Sequence, residues 1–279
     1  MISNLVLVLI IFFICLAILI LAINIRGKEK WIRIEHYQSL VPTVVLLKTH
    51  TWSDLLEKFA IKVKNETLAE GIDFYILLHC EHPELFNKIK NKDLKQHVLI
   101  FKEDDIKKLY AKGFYGMWLS NHWILMWFYK KFKNKYQYYW SIEYDVRISG
   151  DSSKLWTYGG TEDFVYPIEP FQDPNWRWKN HYVGGEMTDN DKYYGYLQLA
   201  RYSGRFLDYL DKHFEKGENG QDEMIIFSLF KRSKYSGSKE LLNKIIKDSW
   251  TVFNTDSPKH KNLLEKHEMQ SLRIYHPIK

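Results

Sequence analysis

The chain has 279 residues, with 40 Lys and Arg against 34 Asp and Glu and a formal net charge of +6. Its length, less an apolar N-terminal stretch, leaves about 250 residues, enough for one α/β domain or two small ones. The mild basic excess is no nucleic-acid signature, although it would attract a phosphorylated ligand or an anionic membrane; the two cysteines, Cys15 and Cys80, exclude a disulfide framework and a Cys-based metal site.

Leu5–Ile23 is apolar without interruption, and its nineteen residues are enough to span a bilayer core. The start, Met-Ile-Ser-Asn, lacks the basic region of a cleavable signal, so the stretch reads as an uncleaved single-pass anchor over residues 1–26. A basic, aromatic linker follows over 27–41, and a catalytic-sized α/β domain over 42–279. Arg26, Lys28, Lys30 and Arg33 follow the apolar stretch, and the positive-inside rule then puts the domain in the cytoplasm. The sequon Asn65-Glu66-Thr67 fits the opposite orientation.

Val44–His50 is a β-branched run ending in Thr49 and His50, a first strand. Ser53 is placed to cap a helix over Asp54–Glu70 with apolar residues on one face, closed by Gly71. Asp73–Cys80 and Val98–Phe101 read as second and third strands, the latter ending in Glu103, Asp104 and Asp105. Leu119–Phe132 reads as an apolar helix. Tyr136–Gly150 begins as an aromatic, β-branched strand buried on both faces and then carries Glu143 and Asp145 two residues apart. In a strand that spacing points both acids to one side. At the C-terminal edge of a parallel sheet they would face the ligand crevice. Two acids converging there need a proton or a divalent cation between them. On its own, the pair is better explained by a strand simply ending in solvent-exposed acids.

The second half is less regular. Asp163–Ile168 reads as a strand delimited by Pro167 and Pro170. Phe171–Tyr182 is a polar loop whose Trp176 and Trp178 either stack on a saccharide or pack onto the domain. Tyr193–His213 reads as a helix broken near Gly204. Asp222 and Glu223 open an apolar helix, where they serve either as first-turn acids stabilised by the helix dipole or as a general base. His276 lies in the tail, before Pro277. No Walker A or G-x-G-x-x-G motif is present, so a nucleotide would not be held by a glycine-rich phosphate loop.

The alternation of strands and helices predicts an α/β fold with a mostly parallel, Rossmann-type sheet flanked by helices. With the anchor, the acid-x-acid motif Glu143-Tyr144-Asp145, the acidic pair Asp222-Glu223 and the late His276, the chain resembles GT-A-fold glycosyltransferases from about Val44 to its end. The first acid is Glu where that family usually has Asp.

The resemblance implies a hexosyl or related transferase that moves a sugar from a nucleotide-sugar donor to a glycan, glycolipid or glycoprotein acceptor. It implies Asp145 and His276 as ligands of Mn²⁺ or Mg²⁺, and Glu143 near the donor. Asp222 or Glu223 would be the acceptor base of an inverting transfer. Thr49, His50 and Asp104 are candidate donor contacts, and Trp176 and Trp178 candidate acceptor contacts. Two alternatives remain open at this stage: a metal-dependent phosphoester hydrolase on a related sheet, and a non-catalytic sugar-binding membrane protein.

Overall fold

Seven strands form the central sheet. The computed structural model describes residues 42–185, 187–246, 258–267 and 271–279. The expected anchor and linker lie outside the described residues; among those described, no helix is long and apolar enough to cross a membrane.

β1 (Thr43–Thr49) is central, parallel to β2 (Asp73–His79) on one side and to β4 (Tyr138–Glu143) on the other. β3 (Val98–Phe101) extends the parallel set beyond β2. Beyond β4 the sheet turns mixed: β8 (Leu199–Ser203) is antiparallel to both β4 and β6 (Phe164–Val165), and β10 (Gly237–Ser238) runs parallel to β6. Two small ribbons complete the set. β5 (Arg147–Ser149) pairs with β11 (Arg273–Tyr275), and β7 (Tyr182–Val183) pairs with β9 (Asn219–Gly220).

The strands alternate between two cores, as a sheet covered on both faces requires. Val44 and Leu46 of β1 join Tyr139 of β4 in one core. That core packs α2 (His122–Lys131), α3 (Gly204–Glu215) and α4 (Asp222–Arg232) through Trp123, Phe128, Phe206 and Phe227. Val45, Leu47, Trp140 and Ile142 face the other way, against α1 (Asp54–Ala69) and α5 (Glu240–Ile246). A last helix, α6 (Pro258–His267), precedes β11. In α1 the buried Leu56, Phe59, Ala60, Val63 and Thr67 recur at helical spacing. The Ser53 hydroxyl accepts from Leu56 N at 3.2 Å, and Gly71, at φ 69°, returns the chain toward β2.

Two expectations change. Leu197 and Leu199 do not extend a helix: Leu199–Ser203 is a strand hydrogen-bonded on both sides and buried at all five positions. The five residues LARYS are too short and too mixed for periodicity to separate strand from helix. Ser203 ends that strand and caps α3, its Oγ accepting from Phe206 N at 3.1 Å. The Asp163–Ile168 strand shrinks to Phe164–Val165. The sequon lies within α1, where Asn65 is exposed and Thr67 is buried with its hydroxyl donating to Val63 O.

Trp140 is fully buried at mid-sheet and edge-on to Trp156, whereas Leu55 on α1 is exposed. Trp140→Ala is expected to lower unfolding stability by about 3–5 kcal/mol. Leu55→Ala should stay within about 0.5 kcal/mol. Urea denaturation of both variants checks the contrast.

Candidate active site

β1 connects through α1 to β2 on one side, while β4 lies on its other side, so the sheet has its topological switch between β1 and β4. A crevice forms outside the strand ends at such a point. A cavity of about 540 Å³ occupies it, with four carboxylates on its wall (Glu143, Asp145, Asp222 and Glu223). Against them stand Lys48 and the imidazoles of His50, His79 and His276. A larger hollow of about 720 Å³ opens at the opposite rim, around Pro42, Gln137 and Gly204. Among the described residues its single acid, Asp208, is already paired with Lys133 and Lys212. Chemistry, rather than volume, selects the first cavity.

Glu143, Asp145 and His276 each offer a ligand atom, all within 4.8 Å of one another. The two acids do not converge by strand alternation, as expected from their spacing. β4 stops at Glu143, and a turn closed by Val146 N to Glu143 O at 3.1 Å swings Asp145 back. His276 arrives from the other end of the chain. β11 pairs with β5 in the register Tyr275 opposite Arg147, and Ile278 N donates to Asp145 O at 2.8 Å. His276 Nε2 then lies 3.6 Å from Asp145 Oδ1. Both side chains are buried, and Asp145 Oδ1 has no hydrogen-bond partner among the described residues. Two ionised carboxylates within 4.8 Å repel by at least about 3 kcal/mol at an effective dielectric constant near 20. An imidazole and two carboxylates, with one orphaned oxygen, form an N/O donor set that suits a divalent cation such as Mn²⁺ or Mg²⁺.

Lys48 interrupts an otherwise apolar strand and stands opposite Glu143 in the β1–β4 register. Its ammonium is buried, 3.8 Å from Glu143 Oε1. Burial pulls its pKa down, and the charges of Glu143 and Asp222 partly offset that. Asn121, just before α2, donates to Glu143 Oε1 at 2.6 Å. Burial raises the Glu143 carboxyl, and Lys48 opposes the rise.

Asp222 and Glu223 open α4, but Gln221 is the cap, its Oε1 accepting from Met224 N at 3.0 Å. Asp222 Oδ1 also accepts from Glu223 N at 2.8 Å, so this acid satisfies one first-turn amide beside the cap. Gln221 Nε2 donates to Asp222 Oδ1 at 2.8 Å, and Gln198 Nε2 donates to Glu223 Oε1 at 3.2 Å. Burial pushes both carboxyls up. The next cause is Glu143 for Asp222, and Asp222 for Glu223.

Thr49 and His50 line the cavity at the end of β1. The Thr49 hydroxyl is committed to a local turn, donating to Thr51 O at 2.6 Å. His50 is exposed and edge-on to Tyr144 at 4.6 Å. Trp178 lines the cavity. Trp176 does not: its ring stacks on Tyr194 at 4.7 Å, so it packs onto the domain. Asp104 also falls outside, exposed in a single helical turn after β3. β3 is two strands from β1, about 10 Å at the usual spacing, too far to share the switch-point crevice. Sequence reasoning missed Lys48, Asn121 and Trp118. Only Lys48 left a signal, as a charge inside a strand pattern.

No described protein family matches the chain, and no curated protein matches it. Solved structures that it resembles include the galactosyltransferase LgtC in complex with donor and acceptor sugar analogues (9% identity, TM-score 0.42, covering 85% of this chain and 87% of that one). Another is core-mannan synthase A of Aspergillus fumigatus in its Mn/GDP form (13%, 0.40, 68% and 69%). A third is the inositol-1-phosphate CTP transferase of T. maritima (8%, 0.42, 71% and 85%). Similarity at this level assigns no activity to the chain.

The raised acids carry a stability signature. A carboxyl whose folded pKa exceeds its unfolded value favours folding while protonated, and that contribution is lost as pH rises through the folded pKa. Without metal, Asp222→Asn should therefore leave stability nearly unchanged at pH 3, where the carboxyl is protonated in both states, and raise it at pH 8, where the wild type buries a charge. Each kcal/mol regained should lift the melting temperature by about 2–4 °C. Thermal unfolding of both proteins at the two pH values tests the sign.

Proposed function

We propose that the chain is a metal-dependent glycosyltransferase that moves a sugar from a nucleotide-diphosphate donor to a glycan, glycolipid or glycoprotein acceptor. The observation that carries this reading is the division of one cavity into two acidic groups of different character. Glu143, Asp145 and His276 are a ligand-like triad. Asp222 and Glu223 are an amide-bridged acid pair at a helix start in the same cavity.

Asp145 and His276 would hold Mn²⁺ or Mg²⁺, with Glu143 beside them toward the donor. When bound, such an ion neutralises a departing diphosphate without requiring proton transfer. The chain's own groups do the rest. Lys48 and Asn121 fix the Glu143 carboxylate, so that it faces the cavity in one orientation. The amides of Gln198 and Gln221 hold the acid pair. A carboxylate whose pKa is raised toward neutrality is a stronger base than an ordinary one. Asp222 or Glu223 therefore takes the proton from the acceptor hydroxyl as that oxygen attacks an oxocarbenium-like sugar centre. With no covalent intermediate, the transfer inverts the anomeric carbon. Thr49 and His50 flank the donor end, and Leu5–Ile23 serves as a membrane anchor on the strength of its uninterrupted apolar sequence.

Calorimetry with UDP and GDP, with and without Mn²⁺, tests the donor side. Nucleotide binding should require the metal, and Asp145→Asn and His276→Ala should each abolish it. Failure of wild-type protein to bind either nucleotide with the metal present would refute the proposal. Asp222→Asn or Glu223→Gln should leave that binding within about twofold while cutting turnover by 10²–10⁴-fold, the usual range for loss of a general base. A single-turnover assay measures that loss.

A further inference from the structure

We infer that Trp118 and Trp178 form a right-angled aromatic corner that receives the ring of the acceptor saccharide. This rests on the glycosyltransferase reading and extends it to the acceptor. Both residues line the cavity. Their rings lie 5.4 Å apart at 86°. Trp118 is 63% exposed, and the other large exposed hydrophobics among the described residues, Leu55, Leu68 and Ile100, are aliphatic. An indole left in water at the mouth of a polar cavity offers an apolar face with no protein partner to cover it.

The two rings are held differently. Trp178 is fixed by three neighbours: the Arg177 guanidinium 4.5 Å over its ring, the His181 ring at 5.3 Å, and Trp118. His181 is in turn edge-on to Tyr115 at 4.9 Å. Trp118 sits on a tight turn, closed by Ser120 N to Gly116 O at 2.9 Å and braced by Ser120 Oγ accepting from Tyr115 N. Gly116, at φ 87°, supplies the left-handed conformation that starts this turn.

The placement of the turn bears on which ligand it serves. Leu119 O accepts from Asp222 N at 2.9 Å. The neighbour of Trp118 is therefore bonded to the proposed base, which ties this turn to the acid pair, while Asn121, three residues on from Trp118, is tied to Glu143. His50, at the end of β1, is on the donor side. The angle also discriminates. A nucleobase, flat on both faces, is best held between parallel rings. A pyranose offers a patch of C–H bonds on one face and hydroxyls around its rim. One indole face against the C–H patch and a second indole across the rim match that shape. The hydroxyls remain turned toward the carboxylates and amides that can accept from them or donate to them.

The test uses the full chain in detergent micelles with methyl β-galactoside, methyl β-glucoside and methyl α-mannoside as probes, and sorbitol as a polyol without a ring face. Saturation-transfer NMR should show ring C–H protons of at least one glycoside in contact with protein, and none for sorbitol. Trp118→Ala and Trp178→Ala should weaken that glycoside at least tenfold while Mn²⁺-dependent UDP or GDP affinity stays within twofold. Trp118→Phe, which retains a ring, should recover part of the loss.

Glycoside binding unchanged in Trp118→Ala would overturn the inference. So would a parallel loss of nucleotide affinity, which would assign the corner to the donor. Nucleotide binding without any glycoside binding would refute the corner and leave the transferase reading standing. Glycoside binding that depends on Trp118, with no nucleotide binding at all, would support the corner and refute the transferase reading.

Discussion

Four carboxylates facing one cavity repel each other, and much of the structure around them limits that repulsion. Lys48 is the main internal counter-charge, placed by strand register opposite Glu143 and felt by Asp222 as well. Burying an ammonium is costly, and here the cost is offset only by the acids it neutralises. Asn121, Gln198 and Gln221 supply amide donors to these acids. Amides orient a carboxylate without cancelling its charge. Glu143, Asp145 and His276 meet at this wall with their ligand atoms within 4.8 Å of one another.

That meeting joins distant parts of the sequence. Asp145 belongs to the turn after β4, and His276 to the tail. The β5–β11 ribbon and the bond from Ile278 N to Asp145 O bring them together. The other half of the cavity is built in the same way. The loop before α2 carries Trp118, Leu119 and Asn121, and it is tied to Asp222 at one point and to Glu143 at another. Gly113 lets this loop approach closely: at φ 88°, any Cβ there would collide with the Asn219 side chain. One loop therefore links the ligand-like triad, the acid pair and the aromatic corner.

The abundance of aromatic residues has two explanations in this fold. Most rings are structural. Trp123, Trp140 and Trp156 are fully buried, and Phe164 alone packs against Tyr166, Tyr202, Phe206, Phe227 and Phe230. Arg201, itself buried, lies 4.1 Å over the Tyr138 ring and donates to the carbonyls of Tyr158, Gly160 and Glu162, pinning the chain ahead of β6. Among the described residues, only Trp118 and Trp178 bring indoles to the cavity.

The sequence by itself determined the first half of the fold. The strands β1 to β4, α1 with its Ser53 cap, and α2 follow from apolar periodicity and turn residues, which are local properties. It also marked Glu143, Asp145, Asp222, Glu223 and His276, because clustered acids and a late histidine stand out as residue types. Only the tertiary structure decided the rest. Whether Leu199–Ser203 is strand or helix depended on β4 and β6 on either side of it, which a local pattern does not encode. Trp176 and Trp178 lie in one polar loop, yet one stacks on Tyr194 and the other lines the cavity, because the folded loop presents them to different surfaces. Asp104 drops out because β3 lies at the sheet's edge, and Lys48 comes in because register sets it across from Glu143. Residue type is written in the chain; distance between remote residues is set by strand order and pairing.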